Sequence, residues 1–249
     1  MASEPGSKPV LRVEKLVKTF GAFRALDEFS FDVHAGEILG LVGPNGSGKT
    51  TSINVVSGLY PPNGGTVRLG GQSIGGMKSH RIVHLGVNRT FQIPKPFMQL
   101  TARENVNVAR TYGSHIRETV PAGRLLADLN LGEVADRPAM ELNSAQQKML
   151  DLARALATGP RLLLVDELAA GLNPAELDWI ANRLRLLARS GMAIVVVEHL
   201  MGFIEQVTDR VIVLNAGREI FEGKLAEAVR DPRVVEVFLG APHGKDHAA

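Results

Sequence analysis

The 249-residue sequence contains no cysteine, no long apolar run and almost no excess of charge. Without cysteine the protein has neither disulfides nor thiolate metal sites, which agrees with a reducing cytosol. No apolar stretch approaches the roughly 20 residues that a membrane-spanning helix needs. The N-terminal segment MASEPGSKP also has no apolar signal core. We therefore expect any membrane role to depend on a partner protein.

Positive charges barely outnumber negative ones, since 28 Lys and Arg face 26 Asp and Glu and give a formal net charge of +2. So small an excess does not create the basic surface that nucleic-acid binding needs, and we predict no DNA or RNA partner. The hydrophobic content of 45% and the charged content of 22% are typical of a soluble globular protein. These proportions exclude the disordered and fibrous classes.

Four short apolar runs predict strands that are buried on both faces. They are EILGLV, RLLLVDE, MAIVVVEH and RVIVLN. Between the second and third runs, Asn173 and Glu176 frame a helix start, so this stretch predicts a strand-helix-strand crossover. The segments LRVEKLVKTF and FRALDEFSFDV instead alternate apolar and polar residues, which is typical of a small antiparallel sheet. The sequence thus predicts an α/β fold with a mostly parallel core sheet.

We predict a single domain over residues 10 to 240. From about residue 93 to residue 158 the strand runs vanish and helix signals replace them, with Thr101 and Glu104 framing one start. This segment is interpreted as a helical insertion between two core parts, residues 10 to 92 and 159 to 240. Residues 1 to 9 and 241 to 249 are expected to be flexible ends.

The segment GLVGPNGSGKTTSINVVSG contains the pattern G-x-x-x-x-G-K-[ST] between a predicted strand and a predicted helix. Glycines let backbone N–H groups surround phosphates, Lys49 can reach the terminal phosphates, and the Thr50 hydroxyl can bind Mg²⁺. The residues predicted to bind nucleotide here are Gly43, Pro44, Asn45, Gly46, Ser47, Gly48, Lys49, Thr50 and Thr51.

Polar side chains follow other predicted strands at the edge where ligands bind in open α/β sheets. Asp166 is placed to hold Mg²⁺ through water, and Glu167 to polarise a water for attack on the γ-phosphate. Two acids after an apolar run also suit a helix entry, but the glycine-rich loop favours the catalytic interpretation. Gln92 can touch Mg²⁺ or the attacking water, and His199 can lie beside the same phosphate. By themselves, this glutamine and this histidine would be interpreted as loop or structural residues.

One aromatic residue is a candidate for contacting the base. Phe20, in VKTFGAF, can stack on an adenine ring, although an aromatic at such a position is also a common core residue. The predicted catalytic residues are therefore Lys49, Gln92, Glu167 and His199. The predicted Mg²⁺ ligands are Thr50, Gln92 and Asp166.

Together, and in this order, these residues resemble the ATP-binding cassette of ABC transporters over about residues 10 to 240. Phe20 matches the adenine-stacking aromatic, the segment from Gly43 to Thr51 matches the Walker A motif, and Gln92 matches the Q-loop. Asp166 and Glu167 match the Walker B pair, AAGLNP (169 to 174) matches the D-loop, and His199 matches the switch histidine. The resemblance implies a P-loop NTPase fold, ATP and Mg²⁺ as ligands, and ATP hydrolysis that drives a transmembrane permease. It also implies a peripheral place on the cytoplasmic face of the inner membrane.

The segments AAGLNP, RTFQ, VEH and VVEVFLG more particularly resemble the ATPase subunits of branched-chain amino-acid importers. That resemblance implies import of branched-chain or related amino acids, with a second, different ATPase subunit and an external solute-binding protein as partners. The chain departs from the usual pattern at two positions. Leu168 stands where proline usually follows the catalytic acid, and Leu200 stands where aspartate usually follows the histidine.

The stretch ELNSAQQKML begins like an ordinary capped helix, with Asn143 and Gln146 as a capping box. In the family that the chain resembles, this place holds L-S-G-G-Q, which binds the γ-phosphate of ATP held by the opposite subunit of a dimer. The residues assigned to that role here are Asn143, Ser144, Ala145 and Gln146.

Alanine in place of glycine within this motif has a predicted cost. The methyl group of Ala145 either holds the helix away from a phosphate or requires backbone angles that alanine disfavours. We expect weak closure and reduced turnover at the site that this helix completes. A heterodimer is favoured over a homodimer, because a partner's intact motif would then complete the site of this chain.

Two other functions compete with a transport ATPase. A regulatory nucleotide-binding subunit is motivated by the altered motif, whereas the intact acid pair and histidine oppose it. A DNA-repair or translation ATPase is disfavoured, because the sequence has no long coiled-coil segment and no second cassette. The resemblance does not specify the transported substrate, and export of another compound is the alternative to import.

Overall fold

The computed structural model describes residues 8–113 and 120–239. The predicted flexible ends lie outside these residues, apart from Lys8 and Pro9. The strands are β1 Leu11–Phe20, β2 Phe23–Val33, β3 Ile38–Val42, β4 Gly64–Leu69, β5 Gln72–Ser73, β6 Val87–Arg89, β7 Leu162–Asp166, β8 Ala193–Val197, β9 Arg210–Asn215 and β10 Arg218–Gly223. The helices are α1 Lys49–Val56, α2 Ser79–His84, α3 Ala102–Thr111, α4 Ala122–Asp128, α5 Ser144–Ala157, α6 Pro174–Arg189, α7 Met201–Val207, α8 Leu225–Ala228 and α9 Pro232–Leu239.

The predicted parallel sheet is confirmed as a six-stranded sheet in the order β10-β9-β3-β8-β7-β6. Strand pairs from β9 to β6 are parallel, whereas β10 runs antiparallel to β9 at the edge. Along β7, Leu163 and Val165 pack into one hydrophobic cluster, and Leu162 and Leu164 pack into the other. Because both faces are covered, the strands read as continuous apolar runs rather than alternating ones.

The predicted antiparallel sheet is also confirmed, with strand order β2-β1-β4-β5. Its side chains share a hydrophobic cluster with α1 and with one face of the parallel sheet, including Phe29, Leu39 and Ile53. The helices α3, α4, α5 and α6 share the other cluster with the opposite face. The main sheet is therefore a middle layer between a small sheet on one side and helices on the other.

Capping boxes start three of the helices, as the sequence predicts. Side-chain oxygens of Thr101, Asn143 and Asn173 accept hydrogen bonds from the backbone N–H three residues later. Helices α3, α4 and α5 all lie between residues 93 and 158, although the boundaries of an insertion remain a prediction. Helix α6 connects β7 to its parallel neighbour β8. The chain therefore leaves β3, β6, β7 and β8 at the same edge of the sheet.

Candidate functional site

The glycine-rich loop joins β3 to α1 with a backbone that only glycine adopts easily. Gly43 has a φ of 147°, and an added Cβ would lie 2.2 Å from the Leu214 carbonyl oxygen. Gly48 caps α1 at a φ of 109°, where an added Cβ would lie 2.7 Å from the Ala25 carbonyl oxygen. Among the described residues, no side chain caps α1. The first N–H groups of this helix thus point into the loop, as in a phosphate cradle.

Lys49 lies across this loop. Its Nζ donates to the carbonyl oxygens of Gly43 and Pro44, each at 2.8 Å. Burial lowers the pKa of Lys49, and the carboxylates of Glu167 and Asp166 oppose this shift. The ammonium is therefore held where a triphosphate, with its negative charge, would stabilise the charged form.

Asp166 is the last residue of β7 and is almost fully buried, with a side chain 2% exposed. Burial raises its pKa, and the Arg89 guanidinium is the main opposing influence. Thr50 lies beside this carboxyl group, since its hydroxyl also lowers the pKa of Asp166. Even so, Oδ1 of Asp166 is buried without a well-oriented hydrogen-bond partner in the described part of the chain. A carboxylate oxygen left in this way fits a magnesium ion or one of its water ligands.

Glu167 follows Asp166 in a left-handed conformation with a φ of 47°. A non-glycine residue with such a φ is uncommon, and strained residues cluster at functional sites. Its backbone N–H donates to the Val197 carbonyl at 2.9 Å, which anchors it to the end of β8. Its Oε2 accepts a hydrogen bond of 2.6 Å from Nε2 of Gln92. The structure thus brings together Gln92 and Glu167 from segments 75 residues apart.

His199 lies two residues beyond β8 and is exposed. It leaves the sheet at the same edge as Glu167, since Val197 pairs with Asp166 in the sheet register. Across the described ranges, no hydrogen bond joins its ring to Glu167 or Lys49. Its predicted place beside the terminal phosphate therefore stays a prediction.

Phe20 ends β1 and is 43% exposed. The ring meets Tyr60 edge-on at a centroid distance of 5.3 Å, and Lys18 Nζ lies 5.1 Å from its centroid. The turn after Phe20 leads into β2, whose Ala25 adjoins Gly48 of the phosphate loop. An exposed aromatic surface near that loop fits the predicted adenine contact, which likewise stays a prediction.

The helix at the altered motif, α5, has four N–H groups at its start that lack intrahelical partners. Its capping box engages two of them, because Asn143 Oδ1 accepts from Gln146 N–H at 2.8 Å and Gln146 Oε1 accepts from Asn143 N–H at 3.1 Å. The N–H groups of Ser144 and Ala145 remain available to bind an anion. Of the two alternative costs predicted for the Ala145 methyl group, the one from backbone angles is wrong, since Ala145 lies in regular helix and is not among the positive-φ residues. Alanine therefore needs no disfavoured backbone angles here, and only the bulk of its methyl group remains as an obstacle.

Sequence reasoning missed three buried charged residues around this site, namely Arg89, Lys148 and Glu198. Arg89 pairs with Asp166, with Nη2 2.9 Å from Oδ2. Lys148 Nζ donates to the carbonyl oxygens of Glu167 and Leu168 at 3.2 Å each, and also to that of Ala170. The only available sequence signal was a charged residue inside or ending an apolar segment, which is rare unless the charge is paired.

Glu198 lies on the other side of the segment that follows Glu167. Its Oε1 accepts a hydrogen bond of 2.7 Å from Ala169 N–H. Burial raises the pKa of Glu198 and lowers the pKa of Lys148. Residues 167 to 170 are therefore held between α5 and the end of β8 by two buried ionisable groups.

Lys148→Met is expected to destabilise the protein, because it leaves one buried and two part-buried carbonyl oxygens without their charged donor. A buried acceptor that loses its partner costs about 1–3 kcal/mol, so the free energy of unfolding should fall by about that amount. Denaturant unfolding of both proteins measures it. Lys78→Met is the control, since Lys78 is exposed and its side chain makes no cap hydrogen bond. Equal stability of the Lys148 variant and the native protein would contradict this role.

None of the helices in the described ranges combines the length and the hydrophobicity that crossing a bilayer requires. The resemblance to known proteins extends over nearly the whole chain. The high-affinity branched-chain amino acid transport ATP-binding protein BraF of Pseudomonas aeruginosa is 35% identical, over 94% of this chain and 99% of the relative. The probable branched-chain amino acid transport ATP-binding protein LivG of Archaeoglobus fulgidus is 37% identical, over 93% and 96% respectively.

Solved structures show the same architecture. A nucleotide-free ATP-binding cassette from an ABC transporter is 31% identical, with a TM-score of 0.84, over 94% of this chain and all of the other. The ADP conformation of MJ1267, an ATP-binding cassette of an ABC transporter, is 32% identical with a TM-score of 0.83, at the same coverage. The sequence profile of the family described as ABC transporter matches residues 26–170. The chain therefore belongs to the ABC transporter family, in which it is an ATP-binding and ATP-hydrolysing cassette.

Proposed function

We propose that this ATPase powers the import of branched-chain or related amino acids through a transmembrane permease. The observation that carries the proposal is the convergence of Lys49, Gln92, Asp166 and Glu167 at one sheet edge. The substrate class is supported by the names of relatives that match over at least 93% of the chain. In this proposal the chain is a peripheral subunit on the cytoplasmic face of the inner membrane, and an external binding protein delivers the amino acid.

The triphosphate lies in the glycine-rich loop, with the Lys49 ammonium against its terminal phosphates. Thr50, Gln92 and Asp166 would hold Mg²⁺, and this assignment is supported by Asp166 Oδ1, which makes no well-oriented hydrogen bond within the described residues. A magnesium ion held there would supply positive charge that neutralises the phosphate oxygens during hydrolysis. Phe20 provides an aromatic surface for the adenine ring.

Glu167 is the general base for hydrolysis. It takes a proton from a water whose oxygen forms a new bond to the γ-phosphorus, while the bond from that phosphorus to the β-γ bridging oxygen breaks and ADP leaves. Gln92 donates to Glu167 Oε2, so it can orient the base and the water together. His199 contacts the γ-phosphate and stabilises the charge that develops on it.

ATP acts as the ligand that closes a dimer. Residues Asn143 to Gln146 at the start of α5 contact the γ-phosphate held by a second subunit, through the Ser144 and Ala145 N–H groups and the Asn143 amide. Binding between two subunits gives the closed state a contact that the open state lacks, which is what a population shift requires. We favour a heterodimer, in which a partner with an unaltered motif completes the site of this chain.

Ala145→Gly is expected to raise the hydrolysis rate of the purified chain roughly 10-fold, because a misplacement of about 1 Å can cost up to about 100-fold. Side chains in a helix lean toward its N-terminus, so the Ala145 methyl group lies on the side from which a phosphate approaches. A phosphate-release assay at saturating ATP measures the effect.

Ala175→Gly is the matched control, since Ala175 holds the same second position in capped helix α6. It should leave hydrolysis unchanged while it removes the same methyl group. If Ala145→Gly also leaves the rate unchanged, the alanine is harmless and the case for a heterodimer loses its main support.

The permease binds at an exposed apolar surface between the Gln92 segment and the helices of residues 93 to 158. This surface carries four large exposed side chains, which are Phe91, Ile93, Phe97 and Met98. Exposed apolar side chains that lie together mark interaction sites.

The test of transport is reconstitution of the chain with its membrane partners in liposomes. ATP is placed inside, and labelled leucine is placed outside together with the binding protein. ATP-dependent leucine uptake is expected, and its loss in Ile93→Glu would support this surface; ATP hydrolysis without uptake of any branched-chain amino acid would reject the substrate class.

A regulatory nucleotide-binding subunit is the second candidate, and the alanine at position 145 is the observation that favours it. In that case the assembled complex would close on ATP but hydrolyse it at the same low rate as the isolated chain. ATPase activity that rises when the permease and the binding protein are present would reject the regulatory role.

A further inference from the structure

Arg89 has no role in the proposed mechanism, yet its charged side chain contacts Asp166, the carboxylate proposed to bind Mg²⁺. It ends β6, the parallel neighbour of β7, which Asp166 ends. Arg89 Nη2 donates to Asp166 Oδ2 at 2.9 Å, and the two side chains are only 8% and 2% exposed. Neither group can exchange this partner for water without a change in the surrounding packing.

The guanidinium is fixed on its other sides as well. Its Nη1 donates to Asn54 Oδ1 on α1, and its Nε donates to the Thr90 carbonyl at 3.1 Å. The Phe91 ring covers it, with the guanidinium carbon 4.7 Å from the ring centroid. Arg89 therefore connects α1, which follows the phosphate loop, to β7, which carries Asp166. The planar guanidinium group provides this geometry, because its separate N–H groups point toward both elements at once.

This contact distinguishes the two oxygens of Asp166. Oδ2 is engaged by Arg89, whereas Oδ1 makes no well-oriented hydrogen bond among the residues that the structure describes, although the Thr50 hydroxyl lies beside the carboxyl group. The terminal torsion of aspartate is broad and roughly two-fold, so an unrestrained carboxylate would sample several orientations. We propose that Arg89 is a positioning residue that fixes Asp166 so that Oδ1 faces the magnesium ion of Mg–ATP. The proposal rests on the metal-binding role given above to Asp166.

Electrostatic repulsion alone would give Arg89 the opposite effect on metal binding. A cation beside a carboxylate weakens the attraction of that carboxylate for a metal ion, so removal of Arg89 would tighten metal binding. The positioning role predicts weaker binding, because the freed carboxylate turns toward Lys49, the other cation that acts on it. The direction of the change therefore decides between the two effects.

The experiment uses the full 249-residue chain with a non-hydrolysable ATP analogue and Mn²⁺, whose binding is followed by electron paramagnetic resonance. Arg89→Met is expected to raise the Mn²⁺ dissociation constant about 10-fold to 100-fold, the usual effect of losing a residue that orients a metal ligand. Affinity for the analogue in excess EDTA should not change, which shows that the nucleotide pocket is folded. Asn54→Ala removes the other anchor of the fork, and it should shift Mn²⁺ binding in the same direction by a smaller factor even if Arg89→Met does not fold.

Arg154→Met is the matched control. Arg154 pairs with Asp151 at 3.4 Å and its guanidinium carbon lies 5.4 Å from the Phe97 ring centroid, so it is a similar partly buried arginine. Its hydrogen bonds go to Lys95 and Asp151 rather than to Asp166, and its replacement should leave Mn²⁺ binding unchanged.

Two further variants show whether the positioning role of Arg89 or the metal-binding role of Asp166 is wrong. Arg89→Lys keeps the charge without the fork and should bind Mn²⁺ as weakly as Arg89→Met; full recovery would show that charge alone matters and would overturn the proposal. Unchanged or tighter Mn²⁺ binding in Arg89→Met would overturn it as well. If Asp166→Asn binds Mn²⁺ like the native chain, then it is the proposed metal role of Asp166 that fails.

Discussion

Glu167→Gln is expected to bind ATP as the native chain does but to hydrolyse it about 100-fold to 10,000-fold more slowly, the range that a general base contributes. Glutamine keeps the size of the side chain and an oxygen that can accept from Gln92, so the local hydrogen bond of 2.6 Å can persist. It cannot accept the proton of the attacking water. Single-turnover hydrolysis and equilibrium ATP binding on the same preparation measure the two effects separately.

The control for this variant is Glu133→Gln, which neutralises an exposed acid in a short 3₁₀ turn. It should change neither binding nor hydrolysis. Normal turnover in Glu167→Gln would remove Glu167 from the role of base. Loss of ATP binding together with hydrolysis would instead show that the variant disturbs the pocket.

Lys49→Met is expected to weaken ATP binding about 10-fold to 100-fold. A hydrogen bond to a charged group contributes about 1.5–3 kcal/mol, and each 1.4 kcal/mol corresponds to about a factor of ten in affinity. The Lys49 ammonium is already held by the Gly43 and Pro44 carbonyl groups, so little ordering is needed when the phosphates arrive. Titration of a fluorescent ATP analogue gives the dissociation constant.

Because Lys49 also holds the loop itself, the stability of each variant without nucleotide must be measured alongside. Lys95→Met removes an exposed lysine and should not alter affinity. ATP should raise the melting temperature of the native chain and of Lys95→Met, and raise it much less for Lys49→Met. Equal ATP stabilisation in all three proteins would place the phosphates away from Lys49.

The sequence was sufficient to predict the layers of the fold, because each layer has its own hydrophobic period. Strands β3, β7, β8 and β9 were visible as continuous apolar runs, and β1 and β2 as alternating ones. Helix starts were predicted from capping boxes, which depend on residues three positions apart and hence on local sequence alone. Such local signals do not depend on how the elements later pack.

Contacts between distant segments could not be predicted in the same way. Arg89 and Asp166 are 77 residues apart, and Lys148 reaches the carbonyl groups of residues 19 to 22 positions later. A single sequence does not show which buried charges meet, because that depends on the order of β6 and β7 in the sheet. The left-handed backbone of Glu167 also follows from its anchorage to Val197 rather than from its neighbours in sequence.

The motif from Asn143 to Gln146 has one feature that the sequence predicts correctly and one that depends on the folded backbone. The capping box of Asn143 and Gln146 was predicted from the sequence and is confirmed, whereas backbone strain at Ala145, one of two alternatives that the sequence left open, is wrong. Whether a residue near a helix start has helical or left-handed angles depends on where the first turn begins. Here Ala145 is already the second residue of α5, so the effect of its methyl group on an approaching phosphate is purely steric.

In the proposed mechanism one triphosphate is surrounded by the loop of Lys49, the strand end of Asp166 and Glu167, and the segment of Gln92. The most direct test is an experimental structure of the Glu167→Gln chain with Mg²⁺ and ATP. We expect the terminal phosphates against Lys49 Nζ and the metal ion between Thr50 and Asp166 Oδ1, with His199 beside the γ-phosphate. A nucleotide bound elsewhere on the surface, or a metal ion that contacts neither Thr50 nor Asp166, would show that these segments do not form one ATP site.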